Sequence, residues 1–347
     1  MELGCFHLLP MLLLLTSVIC NLHSNYLLTR TINELKKCKY ATIRQPILEK
    51  TTVSLLGCSR LCTSVEECKR FMFDENKKLC SLFRHGEHCF TSDDVHNKVC
   101  YIQKSVCNDI TCTRCPIGYY GDKCQKVIQD CTDGVNKSVV PEGLGYAFIK
   151  PIGSGQVEEV RCDFRYDGWT YIETREENCL ELDFNRTFEE YSTGFGNRYG
   201  NYWLGLENIY NILQNHGQFL LDFYFTFNNS NVEHCRYSKF DIANRDNLYR
   251  ITIGEFRGLK GPMVDPLTNG TFNIDGRPFS TFDRDFSNHD CPGRFMAGWW
   301  YLDDVVCSQS NVHGRRSENI PEARLHWLDI LGEEIYIKNS HIKIKRI

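Results

Sequence analysis

Apolar positions fall along this chain in three different rhythms. Residues Leu8 to Ile19 make a nearly unbroken apolar run, with four consecutive leucines from Leu12 to Leu15 and a close at Val18-Ile19-Cys20. The run is shorter than the ~20 residues a membrane-spanning helix needs. It ends in small or medium residues of the kind a signal peptidase reads, so residues 1–20 are expected to be an export signal, although Glu2 stands where such signals carry Lys or Arg. The second rhythm lies between Ser54 and Phe83. Cys58 and Cys62 stand four apart on an expected helix, so both thiols face one way. Phe71-Met72-Phe73-Asp74 and Leu79-Cys80-Ser81-Leu82-Phe83 then read as two strands about the polar turn Glu75 to Lys78. From about residue 128 onward, short alternating runs are broken by Gly and Asn. The last of them, His341-Ile342-Lys343-Ile344-Lys345-Arg346-Ile347, predicts a half-exposed strand whose charges form a solvated face. With 347 residues and 42% hydrophobic content, the chain is expected to fold as an α+β protein of more than one domain.

The cysteines change this picture most. There are 19, of which Cys5 and Cys20 fall in the expected signal, leaving an odd 17. In an exported chain these read as a disulfide framework with one cysteine left over. Four Asn-x-Ser/Thr sequons, at Asn136, Asn185, Asn228 and Asn269, suit the same secreted, extracellular setting as N-glycosylation sites. The net charge of -4 offers no basic footprint for nucleic acid. No segment after the signal could span a bilayer.

Cysteine spacing divides the chain further. Residues 21–104, centred on Ser54-Leu55-Leu56-Gly57-Cys58 with Cys62, Cys68 and Cys80 following, resemble a PAN/apple module, in which one helix packs on a small sheet. That resemblance implies the pairs Cys58–Cys80, Cys62–Cys68 and Cys38–Cys100, with Cys89 unpaired and available for an intermolecular bond. Residues 105–127 end in Cys115-Pro116-Ile117-Gly118-Tyr119-Tyr120-Gly121-Asp122-Lys123-Cys124 and are similar to the last half of an EGF repeat. A segment this short cannot bury a core and must be held by bridges, most simply Cys107–Cys112 and Cys115–Cys124. A zinc site on the same four thiols is disfavoured by compartment and by spacing.

Residues 128–347 carry the most specific motifs: Asp130-Cys131, Val160-Arg161-Cys162-Asp163-Phe164, Asp167-Gly168-Trp169, Tyr202-Trp203-Leu204-Gly205-Leu206, Gly298-Trp299-Trp300-Tyr301 and Asn311-Val312-His313-Gly314. In this order they resemble the fibrinogen-related domain, the globular head of fibrinogen chains, ficolins, tenascins and angiopoietin-like proteins. The resemblance implies mixed antiparallel sheets with short helices and the bridges Cys131–Cys162 and Cys291–Cys307. Cys179 and Cys235 fall where many relatives have no cysteine, and a bridge between them is expected, because two unmatched cysteines in an exported domain more often pair than stay free.

The resemblance also implies chemistry in Phe279-Ser280-Thr281-Phe282-Asp283-Arg284-Asp285. Carboxylates two apart on one loop suit calcium, which takes hard oxygen ligands. Only Asp285 matches a metal carboxylate of the family. Ser287 stands where a further acid is expected, and Asp283 and Asp290 are the candidate substitutes, so the expected calcium site is weak or degenerate. Relatives bind acetylated sugars or peptide knobs beside this loop, at a pocket with a cis bond before the first cysteine and a His after the second. The matching residues are Asp290, Cys291, Trp300, Tyr301 and Ser308, with Ser308 in place of that His and with Trp299-Trp300 reading as core.

Catalysis is not expected: a bridged Cys291 cannot be a nucleophile, and neither Gly-x-Ser-x-Gly nor His-Glu-x-x-His occurs. The expected function is extracellular recognition without turnover, either lectin-like binding of N-acetylated glycans with calcium or binding of matrix or receptor proteins through other surfaces. Cys89 is the candidate for a disulfide-linked homodimer.

Overall fold

The computed structural model describes residues 26–29, residues 48–83 apart from 53, 66, 69 and 75–76, residues 100–103 and 106–107, and residues 112–347 apart from 178, 180, 199, 317–318 and 329–335. The expected export signal, the pairs Cys38–Cys100 and Cys107–Cys112, and the reading of Cys89 rest on residues or side chains outside this set. The chain divides into two compact units, one of residues 1–116 and 120–126 and one of residues 117–119 and 127–347.

In the first unit, strands β1 (Tyr26–Thr29), β2 (Leu48–Thr51), β3 (Arg70–Asp74), β4 (Leu79–Phe83) and β5 (Cys100–Gln103) form one antiparallel sheet in the order β1-β5-β3-β4-β2. Helix α1 (Leu55–Ser64) starts where the Ser54 side chain accepts a hydrogen bond from Gly57 N at 3.2 Å. Its two cysteines, one turn apart, staple it: Cys58 bonds to Cys80 on β4, and Cys62 to Cys68. The helix and sheet close over Phe71, Phe73 and Leu82, a core small enough to need those bridges.

The second unit is built on a ten-stranded sheet. Its path runs β6-β7-β8-β12-β9-β10-β11, with β6 (Leu144–Ile149), β7 (Glu158–Asp163), β8 (Trp169–Arg175), β9 (Phe219–Phe227), β10 (Val232–Ile242), β11 (Ile251–Ile253) and β12 (Ile337–Arg346), antiparallel at each step. The period of two in β9 explains its place: Phe219, Leu221, Phe223, Phe225 and Phe227 are buried, and Phe223 and Phe225 pack on Trp327 at 4.8 and 5.2 Å between ring centroids. Gly118 anchors the start of the unit. Its φ of +99° and the approach of Phe148 O to 1.9 Å from where a Cβ would sit leave room for glycine alone.

Two expectations change here. The charges of the final strand do not form a solvated face; β12 lies between β8 and β9 with Ile342 and Ile344 buried. Lys343 is only 8% exposed, and its Nζ lies 3.2 Å from the buried Asp222 carboxylate, so its charge belongs to a cross-strand ion pair and not to a solvated face. Cys131–Cys162, Cys291–Cys307 and Cys115–Cys124 are bonded, but the expected Cys179–Cys235 bridge is not formed. Cys179 is disulfide-bonded elsewhere, whereas Cys235 is a free, fully buried thiol on β10. Burial pushes that thiol's pKa well up, leaving it a small core side chain.

Alkylation of the denatured, non-reduced protein is therefore expected to label Cys235 and leave Cys179 unlabelled; a Cys179–Cys235 peptide in a non-reducing digest would contradict this. Asp222 gives a second expectation. Burial alone would raise its pKa, but the hydrogen bond from His234 and the charges of Lys343, His234 and Arg236 outweigh burial and hold it below the usual carboxylate range. A carboxylate depressed in this way adds stability above about pH 4 that is lost as pH falls through its folded pKa. Asp222→Asn should cost about 3 kcal/mol in urea unfolding at neutral pH, with the gap to wild type closing in acid.

Candidate functional site

The segment 279–314 sits against the core side of the central sheet, and a β-bulge decides what it meets. Simple alternation along β8 would put Trp169, Tyr171, Glu173 and Arg175 on one face. The register with β12 shifts between Tyr171 and Glu173, so Tyr171 opposes Lys343 while Glu173 opposes Ile342. Glu173 and Arg175 are thereby buried, at 0% and 1% exposure.

Arg175 Nη1 donates to the carbonyls of Val312 and Gly314, each at 2.7 Å. His313 Nε2 lies 2.7 Å from Glu173 Oε2, a close polar contact not aligned as a hydrogen bond. The other ring nitrogen, Nδ1, meets Gly298 O at 2.8 Å and Tyr191 Oη at 3.2 Å. Tyr191, on helix α3 (Phe188–Thr193), donates to Phe184 O and accepts from Gly298 N at 3.0 Å. Gly298 is required there, because a Cβ would stand 2.6 Å from the Tyr191 ring. Burial, and after it the neighbouring Arg316 charge, push the Arg175 guanidinium down to about 10, so it remains a cation at neutral pH. The Asn311-Val312-His313-Gly314 motif is thus a structural clamp.

The acidic loop is also internally committed. Asp283 Oδ1 accepts from Phe188 N at 2.9 Å, at the start of α3, and from Thr281 Oγ1 at 2.7 Å. Asp285 Oδ1 accepts from Ser287 N at 2.8 Å and Ser287 Oγ at 2.6 Å. Ser287, 1% exposed, passes the chain on: its Oγ accepts from Cys291 N at 3.3 Å. Calcium needs six to eight oxygens, and the described residues contain no group of three or more acidic, His or Cys side chains placed to hold a metal. The donor set does not fit the ion: the serine that replaces an acid hydrogen-bonds the remaining carboxylate instead of joining it.

Of the residues expected to line the pocket, Cys291, Trp300, Tyr301 and Ser308 are buried and Asp290 is exposed. No cis peptide occurs among the described residues; Asp290 instead takes a left-handed conformation, φ 52° and ψ 35°, ahead of the short helix Cys291–Phe295. Trp300 and Tyr301 are each 2% exposed, with Trp300 Nε1 donating to Tyr249 O and Tyr301 Oη to Ala297 O. Ser308 is buried and exchanges hydrogen bonds with Ser310. Asp283, Asp285 and Asp290 are exposed, as is Phe282, and so is the loop between the cysteines. Val305 is 69% and Val306 42% exposed, and Arg294 ties them to a neighbouring segment by donating to Val305 O and pairing with Glu322, beside the half-exposed Ile320. The sequence reading missed these residues; two adjacent valines just before Cys307 were the available signal.

Arg175→Met should unfold the second unit more easily by about 3–5 kcal/mol, read by chemical denaturation, because it leaves the Val312 and Gly314 carbonyls buried without their donor and removes the cation that offsets the buried Glu173 charge. Calcium at about a hundred times its Kd would add about 2.7 kcal/mol through a native site; no shift in melting temperature on calcium addition is expected.

Residues 127–347 match the family model for the C-terminal globular domain of fibrinogen beta and gamma chains. The chain is 29% identical over 222 residues to tenascin-R of Gallus gallus, covering 62% of this chain and 15% of that protein. It is 32% identical over 199 residues to fibrinogen-like protein 1 of Rattus norvegicus, covering 53% and 60%. It thus spans less than two thirds of the length of either relative. Among solved structures, the fibrinogen-like globe domain of human ANGPTL6 superposes with a TM-score of 0.55 at 25% identity, covering 64% of this chain and 96% of that one. The corresponding domain of human ANGPTL2 gives 0.54 at 27%, covering 63% and 99%. With its family motifs placed as clamp and core of one antiparallel unit, the chain belongs to the fibrinogen C-terminal domain family.

Proposed function

We propose that this is a secreted, non-enzymatic recognition protein whose fibrinogen-type head binds an extracellular protein partner without calcium. The observation that carries this reading is the apolar tip Val305-Val306, exposed and tied by Arg294 to Glu322, while Trp300, Tyr301 and Ser308 are buried, Asp283 and Asp285 accept local hydrogen bonds, and Asp290 is exposed. An apolar centre with a polar rim is the composition of a protein-binding patch. Lectin-like binding of N-acetylated glycans is the weaker reading, since Trp300, Tyr301 and Ser308 present little surface to a ligand.

The finer organisation belongs to the same proposal. The helix and five-stranded sheet stapled by Cys58–Cys80 and Cys62–Cys68 support an apple-like first module, and Cys115–Cys124 supports an EGF-like spacer. Asn136, Asn228 and Asn269 are exposed and Asn185 partly so, which suits N-glycosylation of all four sequons. No described helix is long and apolar enough to cross a membrane.

The test is a panel of purified extracellular domains and glycans screened with the intact protein, with calcium and with chelator. A protein hit insensitive to chelator and lost in Val305→Asp/Val306→Asp, with an unchanged melting temperature, is the expected result. Hits confined to glycans, or a protein hit that survives the double substitution, would overturn the reading.

A further inference from the structure

The face of the central sheet turned away from the clamp carries a row of charges that the recognition loop does not use. Cross-strand neighbours place Tyr171 beside Lys343, Lys343 beside Asp222, Asp222 beside Arg236, and Arg236 beside Arg257 on the edge strand Phe256–Lys260. Five strands spaced ~4.8 Å apart give a row about 19 Å long. Asp222 serves three partners at once: the His234 ring at 2.7 Å, Arg236 at 3.1 Å and Lys343 at 3.2 Å. Arg257 and Lys260 are exposed and have no ion-pair partner among the described residues. Two arginines directly opposite each other on paired strands repel, so the row carries uncompensated positive charge on a chain whose net charge is -4.

The row is also held in place. The Arg236 guanidinium lies 4.6 Å from the centre of the Trp169 ring while donating to Asp222, and Lys343 lies 5.4 and 5.6 Å from the Trp169 and Tyr171 rings. Cation–π stacking and the shared carboxylate fix the guanidinium before any partner arrives, which lowers the ordering cost of binding. A fixed guanidinium presents its remaining donors in the fork that suits sulfate or carboxylate. The row is flat and charged, and it lacks the apolar anchor in a pocket that dominates protein interfaces.

We infer that this sheet face binds an extended sulfated polysaccharide, with Arg236, Arg257 and Lys260 as its principal contacts. The charge complements a polyanion, and the straight cross-strand row suits a chain of repeated anionic groups. This surface is separate from the Val305-Val306 tip, so the two can succeed or fail independently.

Immobilised heparin is the probe, with unsulfated hyaluronan and phosphatidylserine vesicles as the other arms, all against the full chain. The wild type should bind heparin at about 0.15 M salt, with affinity falling linearly in log salt as counterions are released. Arg257→Ser/Lys260→Ser, both exposed positions, should weaken binding at least tenfold and flatten the salt slope, with Lys150→Ser on another surface changing it less than twofold. The inference is overturned by absence of wild-type binding at that salt, by an equal loss from Lys150→Ser, by hyaluronan binding as tightly as heparin, or by tighter binding to the vesicles that the same double substitution abolishes.

Discussion

One extra residue in β8 organises this head. The bulge between Tyr171 and Glu173 carries Glu173 and Arg175 from the outer face of the sheet to its core side, where two charges would be costly if left alone. They are compensated by a segment 137 residues further along, whose carbonyls and histidine approach Arg175 and Glu173. Because that segment can be satisfied in few other ways, the charges act as a positional key. They fix Asn311 to Gly314 against the sheet, and His313 in turn fixes Tyr191 and Gly298.

The same bulge separates the two surfaces proposed for recognition. N-terminal to it, Trp169 and Tyr171 point outward and form the floor under Arg236 and Lys343. C-terminal to it, the strand supports the loops that end in the Val305-Val306 tip. The acidic loop is tied down by local means: Ser287 hydrogen-bonds Asp285, Asp283 accepts from the start of α3, and the trans Asp290–Cys291 peptide follows a left-handed residue.

Much of the fold was legible in the chain. The helix with Cys58 and Cys62 on one side, the hairpin Phe71–Phe83 and the family motifs from Asp130 to Gly314 all follow from short-range periodicity or from residues with strong individual demands. The candidate site was less so. Asp283, Asp285 and Ser287 were found as a loop, but whether a carboxylate faces a metal or a backbone N–H depends on where α3 sits, and α3 is some 95 residues away by the Phe188–Asp283 bond. Cys179 and Cys235 show the same limit: both could be counted, but a pairing rule based on leftover cysteines takes no account of distance, and Cys235 faces a packed core.

The alternation of strands, the chemical inventory of the acidic loop and the residues of the clamp motif could be read from the chain, because periodicity, cysteine spacing and glycine sterics act over a few residues. Long-range packing set the C-terminal strand in the middle of the sheet, paired Lys343 with Asp222, and brought Arg175 to the Val312 and Gly314 carbonyls. Those outcomes depend on which distant charges share a low-dielectric space, and a buried ion pair forms only where the packing of the whole unit brings both partners together.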